Sequence, residues 1–224
     1  MTDATALPGN RGVIRWATRY DWLLTLITLG REGALRERFL DLARLASGES
    51  VLDVGCGTGT LAIAAKRRVG AAGEVYGIDA SVEMIERAGK KAKSAKADVT
   101  FKAALAESLP FPEARFDVVL STVMLHHLRR AVREQSVREM RRVLKPGGRL
   151  LIVDFGRNTG NHRGLLAHFH RHGRVDLTDL VDLSKAAGFE VVESGEVGFG
   201  TMVFVLSEQV AARAATPAVP GEAR

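Results

Sequence analysis

The chain has 224 residues, 46% of them hydrophobic, with a formal charge of +6, a pI near 9.8 and a mean hydropathy near zero. That length and balance suit one globular domain with a sizeable core. The basic excess is moderate: it favours an anionic surface or substrate but does not by itself establish nucleic-acid binding. Cys56 is the one cysteine, which excludes an intramolecular disulfide and argues against thiol-relay or Cys-based metal chemistry.

Residues 1–10 lack the basic start and apolar centre of a signal peptide and read as disordered. No run of about 18 apolar residues is available to span a bilayer, so the expectation is a cytoplasmic protein. From Val13 to Leu29, the residues Trp16, Tyr20, Leu23, Leu24 and Ile27 fall on one helical face, with Arg11, Arg15 and Arg19 on a neighbouring face. Such a helix either packs on the sheet edge or over the active site, or forms a lid with peripheral contact to an anionic membrane surface. Gly30 stops it, and a second amphipathic helix is predicted over about 34–45, ending at Ser47-Gly48.

The stretch from Val51 to Ala65 is the organising element. A short apolar run, Val51 to Val54, reads as a buried strand. It turns through Gly55, Gly57 and Gly59 and continues as an apolar helix over about 60–68. Glycines let the backbone turn tightly and approach a ligand without a Cβ in the way, and the helix start that follows welcomes a negative group. Cys56, between two of the glycines, reads as a small packing residue. A second strand, about 74–78, ends at Asp79, some two dozen residues after Gly55, where a carboxylate can accept both hydroxyls of a ribose. The glycine spacing is G-x-G-x-G, not the G-x-G-x-x-G of dinucleotide folds, which argues against a nicotinamide-dependent oxidoreductase.

Ser81 is the predicted N-cap of the next helix, which ends in Lys90, Lys91, Lys93 and Lys96. Those lysines read as a solvated face complementing the helix dipole. Strand three is predicted at about 99–102, strand four at Phe116 to Ser121, and a helix at about 130–144 whose Arg133, Arg138, Arg141 and Arg142 again read as a solvent face. Lys145-Pro146-Gly147-Gly148 ends that helix before strand five, Leu150 to Asp154. A last helix runs from near Asp176 to about Ala187. Two strands, about 189–197 and 201–206, then lie too close in sequence to be anything but antiparallel. The tail from about Glu208 is rich in Ala, Pro and Gly and reads as frayed. Strand–helix alternation of this kind implies an α/β fold, a mostly parallel sheet with helices on both faces, with ligands at the carboxyl ends of the strands.

From about Tyr20 to Leu206 the chain resembles the class I S-adenosylmethionine (SAM) methyltransferases, and within them the branch of the ubiquinone/menaquinone-biosynthesis C-methyltransferases. Five phrases carry the resemblance in order: Val51 to Thr60, Ile78-Asp79, Leu105 to Pro112, Phe116 to Thr122, and Leu144 to Gly148. The resemblance implies a Rossmann-like seven-stranded sheet ordered 3-2-1-4-5-7-6 with strand seven antiparallel. It implies an N-terminal helical lid over 11–47, a SAM-binding domain over 48–207 and a flexible tail over 208–224. It also implies SAM as cofactor. The methionyl part would lie at Gly55, Cys56, Gly57 and Thr58, with Asp53 taking the ammonium. Asp79 and Ala80 would flank the ribose, Met84, Leu105, Ala106 and Glu107 the adenine, and Ser121 or Thr122 the methyl donor. The family often places Asp or Asn where this chain has Leu105, so adenine is expected to be read by the Ala106 backbone, at a cost of about 1 kcal/mol for the lost hydrogen bond.

Transfer of a methyl group from a sulfonium is an in-line displacement, for which alignment alone supplies roughly 7–11 kcal/mol. A base is needed only if the acceptor must lose a proton. His126 and His127, just past strand four, are the candidates, each with packing or solvation as its alternative role. His162, His168, His170 and His172 cluster later without accompanying Cys or a clean ligand pattern, so no metal is expected. The aromatic N-terminal helix favours a small apolar or lipid-like acceptor, a quinol-type carbon or a phospholipid amine. The alternative is a non-catalytic SAM-binding regulatory domain. No appended recognition domain or Asn-Pro-Pro-aromatic motif points to nucleic acid.

Overall fold

The computed structural model describes residues 32–156 and 175–210. The expected lid helix over Val13 to Leu29, the four later histidines and most of the expected tail lie outside the described residues. Among the described residues, no helix is long and apolar enough to cross a membrane.

The elements run α1 (Glu32–Leu42), β1 (Ser50–Val54), α2 (Thr60–Val69), β2 (Glu74–Asp79), α3 (Val82–Ser94), β3 (Thr100–Ala103), β4 (Phe116–Thr122), α4 (Arg130–Val143), β5 (Leu144–Phe155), α5 (Leu177–Ala186), β6 (Glu190–Glu196) and β7 (Met202–Glu208), with a 3-10 turn at Leu125–His127. They form one seven-stranded sheet in the order β3-β2-β1-β4-β5-β7-β6. β7 runs antiparallel to both neighbours, and the remaining pairs are parallel. Both the order and the reversed strand match the expectation.

Side chains alternate between the two sheet faces. Val51, Val75, Leu120 and Phe204 pack with Leu35, Phe39 and Leu40 of α1 and with Leu61, Ala62 and Ala65 of α2. Leu52, Ile78, Val119 and Val205 face Val137 and Met140 of α4 and Leu180 of α5. The caps are local. Ser81 Oγ accepts the Met84 amide at the start of α3, and Asp176 Oδ1 accepts the Thr178 amide at the start of α5.

Two expectations change. β5 begins at Leu144, because Leu144 pairs with Phe116 and the Gly147–Gly148 backbone exchanges hydrogen bonds with Gln209, so the Pro-Gly-Gly run is a strand lead-in as well as a stop. The arginines of α4 are structural ties for the most part. Arg142 bonds the Phe111 and Leu109 carbonyls and Glu139, Arg133 bonds the Leu125 and Leu128 carbonyls, and Arg141 bonds the Gly188 carbonyl. Arg138 remains exposed as read. Planar guanidinium groups reach several carbonyls at once, which composition alone does not reveal.

Candidate active site

Three loops meet at the carboxyl edge of the central strands. The first is the glycine turn between β1 and α2. Gly55, Gly57 and Gly59 all have positive φ, at 77°, 52° and 76°. Gly55 must be bare because a Cβ there would sit 2.4 Å from Met124 Cγ. Gly59 must be bare because one would sit 2.6 Å from the Phe101 ring and 2.9 Å from Ala88. Gly57 has nothing within 4 Å, so the middle of the turn faces open space. Replacing Gly59 with Ala combines left-handed backbone with overpacking and is expected to cost about 2–3 kcal/mol in urea denaturation. Gly57→Ala is expected to cost about 1 kcal/mol, the backbone part alone, and to lower ligand affinity.

The amides of the turn are directed inward. Gly55 and Cys56 both donate to the Ile78 carbonyl, at 2.9 and 2.8 Å, and Gly57 donates to Asp79 Oδ2 at 3.0 Å. What Gly55 and Gly57 can still offer a ligand is carbonyl oxygen, which suits a cation better than an anion.

Two carboxylates lie beneath and beside the turn. Asp53 is 1% exposed, and neither of its oxygens has a hydrogen bond of good geometry. Burial, with the Asp79 charge adding to it and the Ala62 amide giving only partial relief, lifts its pKa from 3.8 to about 7. Asp79 ends β2. Its Oδ1 accepts the Ser81 amide at 2.9 Å, and desolvation raises its pKa against the pull of the Ser81 and Gly57 amides. Cys56 is buried and its thiol is pushed up by burial and by both aspartates, which leaves it protonated and unreactive.

An open cleft lies over the glycine turn; neither Asp53 nor Asp79 lines it, Asp53 being buried beneath the strand end. Gly55, Cys56, Gly57, Thr58 and Thr122, all expected at the cofactor, line the cleft. Glu32, Leu35, Arg36 and Phe39 of α1, Thr60 and Leu61 of α2, and Met202 of β7 line it too, and sequence reading had not singled these out for the site. Glu32 and Arg36 are ion-paired across one helical turn. Ser121 does not face the cleft: it is buried and its hydroxyl lacks a partner. Val123 lines the cleft at a φ of 54°, a costly backbone for a β-branched residue, held by its amide bond to the Val153 carbonyl. This bend is what lays Met124 over Gly55.

On the other side of Asp79, its carbonyl accepts the Ala104 amide at 3.0 Å and so fixes the loop carrying Leu105, Ala106 and Glu107, all half-buried. Ala80 is half-buried and Met84 is buried at the start of α3. These residues do not line the cleft above the glycines.

The third loop carries the histidines. His126 Nδ1 lies 2.6 Å from Asp154 Oδ1, and the His126 amide donates to Oδ2 at 3.0 Å. Asp154 is fully buried at the end of β5, brought there because Thr122 pairs with Val153. The His127 ring stacks 3.8 Å from that of His126, and desolvation plus the neighbouring imidazole lower its pKa to about 4. Among the described residues, no group of three or more His, Cys, Asp or Glu could hold a metal ion.

A glycine turn over a buried acid, a second acid at the end of β2 and this strand order define a nucleoside-binding domain of the class I methyltransferase type. The orphaned Asp53 carboxylate fits the ammonium of SAM, and the open space over Gly57 fits the approach of its methionyl part. Residues 51–148 match the family model described as a methyltransferase domain. The chain is similar to the demethylmenaquinone methyltransferase of Thermus thermophilus, with 39% identity covering 62% of each chain. It is similar to the ubiquinone/menaquinone biosynthesis C-methyltransferase UbiE of Pseudomonas aeruginosa, with 35% identity covering 65% of this chain and 57% of the relative. The chain thus spans about three-fifths of the length of these curated relatives. A SAM-dependent methyltransferase structure from Aquifex aeolicus superposes with a TM-score of 0.68 at 25% identity, covering 78% of this chain and 89% of that one. Residues 51–148 thus form a methyltransferase domain similar to those of the ubiquinone/menaquinone branch, and SAM is the cofactor that such a domain implies.

Proposed function

We propose that this protein transfers a methyl group from SAM to a small apolar acceptor bearing an acidic hydroxyl, of the quinol type. The observation that carries the cofactor half is Asp53, a carboxylate buried without a hydrogen bond of good geometry two residues before the glycine turn. Keeping an unpaired buried acid is costly unless a cation arrives to use it. Asp53, with carbonyls of the turn, would hold the ammonium, Asp79 the ribose, and Ala80, Met84 and Leu105 to Glu107 the adenine side. Thr122, not Ser121, would stand near the sulfonium.

The acceptor half rests on chemistry at the same sheet edge. With its Nδ1 turned to Asp154, His126 presents Nε2 as the proton-accepting nitrogen. A quinol hydroxyl that loses its proton there becomes the more reactive nucleophile, at oxygen or at the ring carbon it activates. SAM held by these residues would supply an electrophilic methyl; on transfer to carbon, the proton of that ring position would have to leave for the ring to regain aromaticity. The names of the relatives, which act on menaquinone and ubiquinone precursors, agree with such an acceptor. The arginines before Glu32 would favour contact with an anionic membrane surface, where such acceptors dissolve.

Calorimetric titration with SAM, and with NADH as control, tests the cofactor. Micromolar binding of SAM alone is expected. Asp79→Ala is expected to weaken it by roughly 1.5–3 kcal/mol, the value of hydrogen bonds to a charged group. Turnover is then tested with a reduced naphthoquinone and with phosphatidylethanolamine vesicles. Methylation of the quinol alone is expected, and methylation of the amine alone would overturn the acceptor class.

A further inference from the structure

Lys91 was read as one of four solvated lysines, and the structure separates it from the other three. Lys90, Lys93 and Lys96 are exposed. Lys91 is half-buried on α3, and its ammonium donates to Thr58 Oγ1 at 2.7 Å and to Thr60 Oγ1 at 2.8 Å. Both threonines line the cleft, one on either side of Gly59, and their hydroxyl oxygens are 3.4 Å apart. An oxygen that accepts from an ammonium turns its own proton away from it and becomes a stronger donor.

The glycine turn is therefore polarised. Its carbonyl side, with Asp53 buried two residues before Gly55, attracts a cation, and the Thr58 and Thr60 hydroxyls that accept from Lys91 favour an anion. That pattern complements an amino-acid zwitterion, in which ammonium and carboxylate share one carbon. We propose that Lys91, acting through Thr58 and Thr60, is a positioning residue that selects the α-carboxylate of the cofactor. The inference rests on the SAM reading above and assigns the carboxylate within it.

The test compares SAM with decarboxylated SAM, which keeps the nucleoside, sulfonium and amine and lacks only the carboxylate. Each is titrated calorimetrically into the full chain and into Lys91→Met, Lys91→Arg and Thr60→Val. The wild type is expected to prefer SAM by about tenfold or more, the usual scale of a charge-assisted contact. Lys91→Met is expected to erase that preference while holding decarboxylated SAM as the wild type does, and Thr60→Val to reduce it. Lys91→Arg is expected to restore part of it. A ratio of two ligands on one variant is insensitive to general loss of fold. A preference that survives in Lys91→Met, or a wild type that binds both equally, overturns the inference and leaves the SAM reading standing. A wild type that binds neither overturns that reading itself.

Discussion

Asp53→Asn is expected to make the ligand-free protein more stable at pH 8 and a poorer binder of SAM. The carboxyl is held near 7 in the folded chain against 3.8 for an ordinary aspartate. Below pH 3.8 both folded and unfolded chains carry the proton, and Asp53 costs nothing. Between 3.8 and 7 the unfolded chain has released its proton and the folded chain has not, so stability falls by about 1.4 kcal/mol per pH unit. Above 7 the penalty is complete, about 4 kcal/mol. Asparagine is neutral throughout and escapes it. Urea denaturation from pH 4 to 8.5 should show the wild type losing stability across that window relative to the variant. A parallel pair of curves would show that Asp53 is not ionised alone in the folded chain. SAM affinity should show the opposite dependence. The cofactor's ammonium needs the ionised carboxylate, so wild-type affinity should drop about tenfold per pH unit below 7. Asp53→Asn should bind more weakly at pH 8 and lose that slope.

The same residue shows how far the sequence could be read. Asp53 was legible as a carboxylate at the end of an apolar strand, two positions before a glycine turn, and the family resemblance supplied the ammonium as its expected partner. Its lack of partners was not, since that depends on what α2 and β2 leave uncovered. Local signals held well: the glycine turn, the Ser81 cap and the reversed last strand follow from spacing that acts over a few residues. Contacts made over long separations were the ones missed. Lys91 looked like its neighbours because nothing in a lysine run tells which one points at Thr58, 33 residues away. Glu32, Arg36 and Phe39 reach the cleft only because α1 packs against β1 and α2. Asp154 was read as the end of strand five and nothing more; parallel register between β4 and β5 is what sets it against His126, 28 residues earlier. Ser121 and Thr122 were equal candidates, and strand alternation puts only Thr122 on the cleft.

Loss of the His126–Asp154 pair is expected to abolish most turnover while leaving cofactor binding intact. Asp154 is fully buried and its oxygens take three N–H groups: the His126 ring, the His126 amide and the Phe155 amide, at 2.6, 3.0 and 2.8 Å. With the Nδ1 proton held there, Nε2 is left to accept the hydroxyl proton of the acceptor. A positioned base contributes typically 10²- to 10⁴-fold, so His126→Ala should lower kcat by at least about 10²-fold with the SAM Kd unchanged. Asp154→Asn removes the charge that holds the tautomer and should lower kcat by a similar factor, though it must also sustain two backbone amides, and its folding is to be checked by thermal melting. His127, kept neutral by a pKa near 4, cannot compensate as a base of ordinary strength, and His127→Asn should change kcat only a few-fold. The acceptor's own acidity separates chemistry from architecture. A less acidic quinol should suffer more from the substitution than a more acidic one, because it depends more on the base. If His126→Ala keeps full turnover on every quinol, the pair is a brace for the β4–β5 edge, and the acceptor gives up its proton unaided.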